Sequence, residues 1–177
     1  PDVSTSILCL DFDCYASPCS TSHCIRKSYD LVRRELPLLF ERVAAVVQLS
    51  AKAGLEWCYD KKDKKDLSQR LSIRVFIKAD EELTLAEWWE LLEPHARIRP
   101  GSTFSESKGY YFDKACFRPT QPLWLGTPVD NGTERADIDL EELLEVEGEL
   151  LNTQRLRDCI PDTPKPTAPK NTSKGNK

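Results

Sequence analysis

The sequence predicts an α+β fold in which helices cover one face of an antiparallel or mixed sheet. Short runs of β-forming apolar residues are separated by segments whose apolar residues recur at helical spacing. The predicted order of elements is β-α-β-β-α-β-β-α, without the regular strand-helix alternation of a parallel sheet. A chain of 177 residues, of which 40% are hydrophobic, is long enough for one domain with a substantial core.

The first part of the chain predicts a strand, a broken helix and a second strand. Residues 7–13 (ILCLDFD) are largely apolar and end in acids, which is typical of a buried strand that leads into a site. Residues 28–42 carry a helical apolar stripe that Pro37 interrupts, and proline suits the first position of a new helical turn. Residues 43–50 (VAAVVQLS) predict the second strand.

The middle of the chain predicts a strand followed by a capped helix. Residues 71–78 (LSIRVFIK) are rich in strong β-formers. Thr84 and Glu87 have the spacing of a capping box, which predicts a helix over residues 84–92. We expect Pro94 to end that helix, because proline removes a backbone donor and clashes with the preceding turn.

The remaining segments predict two short strands, a loop and a third helix. Residues 60–66 (DKKDKKD) form a charge run that is typical of a solvated loop. The aromatic run at 110–113 and the LWL run at 123–125 predict short strands. Residues 139–157 have leucines at helical spacing among acids, which predicts an amphipathic acidic helix.

Composition predicts one folded domain, large enough to hold a catalytic site, over residues 1–157. It predicts a disordered Pro/Lys-rich tail or linker over 158–177. No apolar run approaches the roughly 20 residues that cross a bilayer, so we expect no membrane partner. The N-terminus lacks the basic start and apolar run of a signal peptide and begins without Met, which indicates a fragment or a processed product.

Seven cysteines in a chain of this size indicate reduced thiols in a cytoplasmic, reducing compartment. Close spacing of Cys9, Cys14, Cys19, His23 and Cys24 leaves a zinc site as an alternative, although no C-x-x-C knuckle is present. The net charge of −4 argues against a stand-alone DNA clamp, because phosphate contacts favour basic proteins. A net charge of −4 for the whole chain is still compatible with a local basic patch.

Three aspartates are the candidate catalytic and metal-binding residues. Asp11 and Asp13 lie two apart on a predicted strand, so their side chains share one face. Asp113 follows another apolar run and joins them if the two strands are neighbours. Carboxylates that converge in this way suit Mg²⁺ or Mn²⁺, and two such ions promote attack by a hydroxyl and departure of pyrophosphate. The alternative is a pair of solvated acids at a strand end.

Three further residues are candidates for nucleotide binding. Ser72 and Arg74 share one face of the strand over residues 71–78, and Arg70 continues the same alternation. A hydroxyl and guanidinium groups beside a carboxylate cluster are the donors that triphosphate oxygens require. An exposed strand arginine paired with an acid is the alternative for Arg74.

The order of these motifs resembles the catalytic domain of archaeo-eukaryotic-type primases and primase-polymerases, especially those of plasmids, phages and integrated elements. That family carries D-x-D, then S-x-H, then an apolar residue followed by Asp. The matching segments, over about residues 7–135, are LDFD (10–13), VVQLSAKAGL (46–55), RLSIRVFI (70–77), YFD (111–113) and RPTQPLWLGTP (118–128), followed by Arg135. The chain departs from the pattern at Arg74, where the family has His, and in the short segment before residue 7.

The resemblance implies an RRM-like palm with metal on Asp11, Asp13 and Asp113, and with Ser72 and Arg74 facing nucleoside triphosphate. It implies templated addition of nucleotides to a 3′-hydroxyl on a single-stranded DNA template, with a helicase or another replication protein as a further partner.

Two other functions stay open on the sequence. The replacement of His by Arg74 and the acidic charge suit a degenerate palm that binds nucleic acid or a replication protein without turnover. A metal-dependent nuclease would use the same acids. Four tryptophans suit base stacking, although core packing is the more common role: Trp57, Trp88, Trp89 and Trp124.

Overall fold

A computed structural model of the chain describes residues 4–16, 25–50, 70–102, 104, 109–118 and 143–160, excluding the side chains of 13–16 and 70–72. These residues form an antiparallel four-stranded sheet with helices packed on one face. The α+β class and the helix-backed sheet are therefore confirmed.

The elements follow one another as β1 (Ser4–Ala16), α1 (Ile25–Glu35), α2 (Pro37–Phe40), β2 (Ala45–Leu49), β3 (Arg70–Thr84), α3 (Leu85–Ala96), a 3₁₀ turn (Lys114–Phe117), β4 (Leu143–Val146) and α4 (Thr153–Asp158). The strand predictions at 7–13, 43–50 and 71–78 are confirmed, and the first and third strands are longer than predicted. Pro37 begins α2, as its fixed φ angle favours.

The sheet has the strand order β1-β3-β2-β4, so the long strand β3 lies between β1 and β2. Alternation along each strand separates a core face from an open face. The core face of β1 carries Leu8, Leu10 and Phe12, each at most 2% exposed. Phe12 packs edge-on against Phe40 of α2, which places the helical layer on this side of the sheet.

Helix α3 begins with the predicted capping box. The Thr84 hydroxyl accepts a hydrogen bond from the Glu87 backbone, and the Glu87 carboxylate accepts one from the Thr84 backbone. Pro94 does not end the helix, which continues to Ala96, so that prediction is wrong. His95 and Ala96 are almost completely buried, and their packing in the core holds the last turn together.

The short strand predicted at 110–113 is not a strand. Tyr110 makes only an isolated bridge with Arg97, and Asp113 caps the 3₁₀ turn that follows. The run of aromatic residues resembled a strand because Tyr111 and Phe112 are buried. They are buried by packing in the core, and the segment does not belong to a strand of the sheet. The segment still runs beside β1, as described below.

The helix predicted over 139–157 is also wrong for the residues that the structure describes. Residues 143–146 form β4, which pairs with β2, and only Thr153–Asp158 are helical. Leu143 is 58% exposed and Leu144 is 8% exposed, so adjacent leucines point to opposite faces of the sheet. The alternation of polar and apolar residues in LLEVE was the available signal for a strand.

Three predicted segments lie wholly or mostly outside the described residues: the loop at 60–66, the strand at 123–125 and the tail at 158–177, of which only residues 158–160 are described. Within the described part, none of the helices has the length and apolar character needed to cross a bilayer.

Candidate functional site

The site is built on β1, where Asp11 lies between two fully buried neighbours. Leu10 and Phe12 are both 0% exposed on the core face, so the intervening Asp11 side chain projects from the open face. The Asp11 side chain is 15% exposed. Charge in so sheltered a position needs compensation from neighbouring groups.

Asp113 is brought to Asp11 by the backbone. The N–H of Asp113 donates a hydrogen bond to the carbonyl oxygen of Asp11 at 2.9 Å. Phe112 packs against Phe12 with their ring centroids 5.7 Å apart, which anchors the same segment on the core side. The Asp113 carboxylate accepts a hydrogen bond from the Ala115 backbone at 2.8 Å and so caps the 3₁₀ turn.

Arg74 completes the described part of the site. It lies directly opposite Asp11 in the β1–β3 register, and its Nε is 3.8 Å from an Asp11 carboxylate oxygen. The Arg74 side chain is 12% exposed, so solvent screens this pair less than a surface pair. The structure therefore brings together Asp11, Arg74 and Asp113, which come from three distant parts of the sequence.

Two thiols border these charged groups, and the sequence reasoning did not include them in the site. Burial raises the pKa of Cys9 to about 12, with smaller contributions in the same direction from Cys116 and Asp11 and an opposing one from Arg74. Burial also raises the pKa of Cys116 to about 11, while a hydrogen bond with the Asp11 backbone acts in the opposite direction. Both thiols are thus neutral near pH 7 and are weak nucleophiles.

Gln48 is a third residue that the sequence reasoning missed. It lies opposite Arg74 in the β2–β3 register, so Asp11, Arg74 and Gln48 form one continuous row across three strands. The signal was present in the alternation of AVVQL, where the buried residues of β2 flank Gln48. Sequence alone does not specify which residue of β2 lies opposite Arg74.

The other predicted site residues are placed by their backbone alone. Asp13 lies in β1, and both Ser72 and Arg70 lie in β3. The β1–β3 register shifts between Phe12 and Tyr15, so an irregularity falls on the residues that follow Phe12. Such a bulge interrupts regular alternation, and bulges are common beside active sites. The side chains of these three residues lie outside the described part.

The donor chemistry of the site fits a hard divalent cation. Asp11 and Asp113 provide carboxylate oxygens on adjacent backbone segments, and Mg²⁺ is commonly held by one or two carboxylates together with substrate phosphates and water. Among the described side chains, no three His, Cys, Asp or Glu residues are already grouped as a metal site. A further ligand would therefore come from Asp13 or from bound phosphate.

The structure describes some of the cysteines and tryptophans for which the sequence left zinc binding or base stacking open. Cys9, Cys116 and Cys159 are free thiols, whereas the rest of the predicted zinc run lies outside the described side chains: Cys14, Cys19, His23 and Cys24. Trp88 is fully buried, while Trp89 is partly exposed and packs edge-on against Tyr110. Trp57 and Trp124 lie outside the described residues.

Comparison of the chain with protein-family models, with curated proteins and with solved structures found no match.

Proposed function

We propose that this chain is a DNA-directed nucleotidyltransferase, a primase or polymerase that requires Mg²⁺ or Mn²⁺. One observation carries the proposal: Asp11 and Asp113 are joined through their backbones, and Arg74 lies against Asp11. Two carboxylates and a guanidinium group are the charges that a metal-bound triphosphate requires. The motif order of the sequence supports the same function.

Each residue has a chemical role in this proposal. Asp11 and Asp113 would hold the divalent metal, with Asp13 as the third carboxylate. The metal, when bound, would promote ionisation of a primer 3′-hydroxyl and neutralise charge on the departing pyrophosphate. Arg74 would hold phosphate oxygens, with Ser72 and Arg70 beside it on β3. The hydroxyl oxygen forms a bond to the α-phosphorus as the bond to pyrophosphate breaks.

The four-stranded antiparallel sheet with one open face supports, as a finer proposal, an RRM-like palm. The open face would bind the nucleoside triphosphate and the part of the single-stranded DNA template that pairs with it. A helicase or another replication protein is the further partner that this function implies, and the reducing cytoplasm is the compartment.

Primer synthesis and extension with labelled nucleotides in Mn²⁺ test the proposal. Asp11→Asn and Asp113→Asn should each lower product formation by at least about 100-fold, because each removes a metal-ligand charge while keeping the side-chain shape. Glu82→Gln is the matched control, because Glu82 is an exposed acid toward the far end of β3. Equal product from the wild type and both Asp variants would refute the proposal.

A specific contact favours a second candidate, a palm that binds without turnover. The Arg74 guanidinium forms an ion pair with Asp11 at 3.8 Å, so a metal ion must compete with an internal cation for that carboxylate. Calorimetry of Mn²⁺ with a nucleoside triphosphate separates the two functions. Metal-dependent binding supports the enzyme, whereas nucleic-acid binding without metal-dependent triphosphate binding supports the binding module.

A further inference from the structure

The open face of the sheet carries two parallel rows of side chains that differ in polarity. The first row runs Asp11, Arg74 and Gln48 across β1, β3 and β2. The second row lies two residues along each strand and runs Cys9, Phe76 and Val46. On these three strands a row of charged and amide groups therefore lies directly beside a row of apolar groups. On β4 the register continues the first row with Leu143 and the second with Glu145.

We propose that the second row is a nucleobase subsite, in which Phe76 and Val46 pack against the base and sugar of a nucleoside triphosphate. In the same complex Gln48 joins Arg74 in holding the phosphates. This inference rests on the proposed function and adds to it the residues that distinguish a nucleotide from free triphosphate.

Side-chain direction supports the subsite. Val75 and Ile77 are at most 2% exposed on the core face, so Phe76 between them projects from the open face. Val46 lies opposite Phe76 and is 41% exposed, although its neighbours Ala45 and Val47 are buried. An aromatic ring beside an exposed aliphatic side chain is a surface on which a base can stack.

The spacing of the rows suits a single nucleotide. Residues two apart on a strand are separated by about 7 Å, and neighbouring strands by about 5 Å. Phe76 therefore lies about 7 Å along β3 from Arg74, a separation comparable with that between the base and the phosphate of one nucleotide. The guanidinium and amide groups donate hydrogen bonds, which matches the acceptor oxygens of phosphate.

The acceptor and donor roles also favour a nucleotide over other ligands. A purely apolar ligand would not use the polar groups of Arg74 and Gln48, whereas inorganic phosphate would not use the apolar row. A ligand with one anionic end and one aromatic end fits both rows.

Calorimetry with two probes, dATP and inorganic tripolyphosphate, each with Mn²⁺, tests the subsite. Phe76→Ala should weaken dATP binding at least about fivefold, because a stacked aromatic residue contributes at least that factor, and should leave tripolyphosphate binding within about twofold. Gln48→Ala should weaken both probes. Leu150→Ala is the control, because it removes an exposed apolar side chain outside the sheet.

Two conservative variants keep the test decisive if Phe76→Ala fails to fold. Phe76→Leu should behave like Phe76→Ala, and Phe76→Trp should retain dATP binding because it keeps a ring. Equal dATP affinity in the wild type and Phe76→Leu would overturn the subsite. Wild-type protein that binds tripolyphosphate as tightly as dATP would overturn the subsite but not the proposed function, whereas binding of neither probe would overturn both.

Discussion

The backbone N–H of Asp113 donates a 2.9 Å hydrogen bond to the carbonyl oxygen of Asp11, which joins the start of the chain to its later half. β1 is the first strand in the sheet order, so its outer edge is where this segment pairs. The bond holds the two aspartates beside each other, and the packing of Phe112 on Phe12 restricts the same segment. The candidate site therefore depends on backbone pairing as well as on side-chain chemistry.

Two substitutions of Asp113 should separate its charge from its capping role. Asn is as good a cap as Asp, so Asp113→Asn should keep the free energy of unfolding within about 0.5 kcal/mol while abolishing metal-dependent activity. Asp113→Ala should lose activity and also about 1 kcal/mol of stability, because the Ala115 N–H loses its acceptor. Urea unfolding measures the stability of both variants. A loss of stability in Asp113→Asn as large as that in Asp113→Ala would contradict the separation.

The adjacent tryptophans should differ strongly in their effect on stability. Trp88 is fully buried, and its indole N–H donates a 2.8 Å hydrogen bond to the Thr5 carbonyl. Trp88→Ala should cost about 3–5 kcal/mol of unfolding free energy, because it leaves a large cavity. Trp89 is partly exposed and contacts Tyr110 and Lys114, so Trp89→Ala should cost clearly less. Chemical denaturation of both variants provides the comparison, and equal losses would show that the two burial environments are equivalent.

The stability of the protein should fall in mild acid because of His95. Burial lowers the pKa of His95 below its ordinary value of 6.5, and the hydrogen bond between its Nε2 and the Leu156 carbonyl opposes this effect only in part. The unfolded chain therefore binds a proton more readily than the folded chain. Stability should be full above about pH 6.5 and should decrease below it, by at most about 1.4 kcal/mol per pH unit, until the folded pKa is passed.

Thermal melting between pH 5 and pH 8 measures this dependence. His95→Gln should flatten the part of the profile near pH 6, because it removes the titrating group. A steep profile that persists in His95→Gln would assign the effect to other groups.

A side chain at Gly148 should disturb the end of β4. A Cβ at this position would lie 2.5 Å from the backbone nitrogen of Ala44 and 2.6 Å from the Arg42 carbonyl oxygen. Gly148→Ala should therefore cost about 1–3 kcal/mol, because backbone atoms must shift to make room. Glu147→Ala is the neighbouring control and should change stability by less than about 0.5 kcal/mol. Unfolding in urea measures the stability of both variants. An unchanged free energy of unfolding in Gly148→Ala would show that the backbone at residues 42–44 leaves room for a Cβ at position 148.

Local patterns were sufficient for much of the fold. The alternation in residues 71–78, the capping box at Thr84 and Glu87, and the position of Pro37 all predicted elements that the structure contains. These signals depend on a few neighbouring residues, so no distant contact is needed to recognise them. The same reasoning failed at 139–157, where leucine spacing resembled a helix but pairing with β2 produces a strand.

The candidate site shows the same division between local and distant information. Asp11 and Asp113 were recognisable as acids at the ends of apolar runs, and Arg74 was recognisable from its alternation with Ser72 and Arg70 in a predicted strand. The proximity of Asp11 to Arg74 and the register that adds Gln48 follow from how β1, β2 and β3 pair. Asp113 is placed by its backbone hydrogen bond to Asp11, and Cys116 by the 3₁₀ turn that follows. Pairing register is set by contacts among all the strands, because moving one strand by a single residue would turn every side chain to the opposite face.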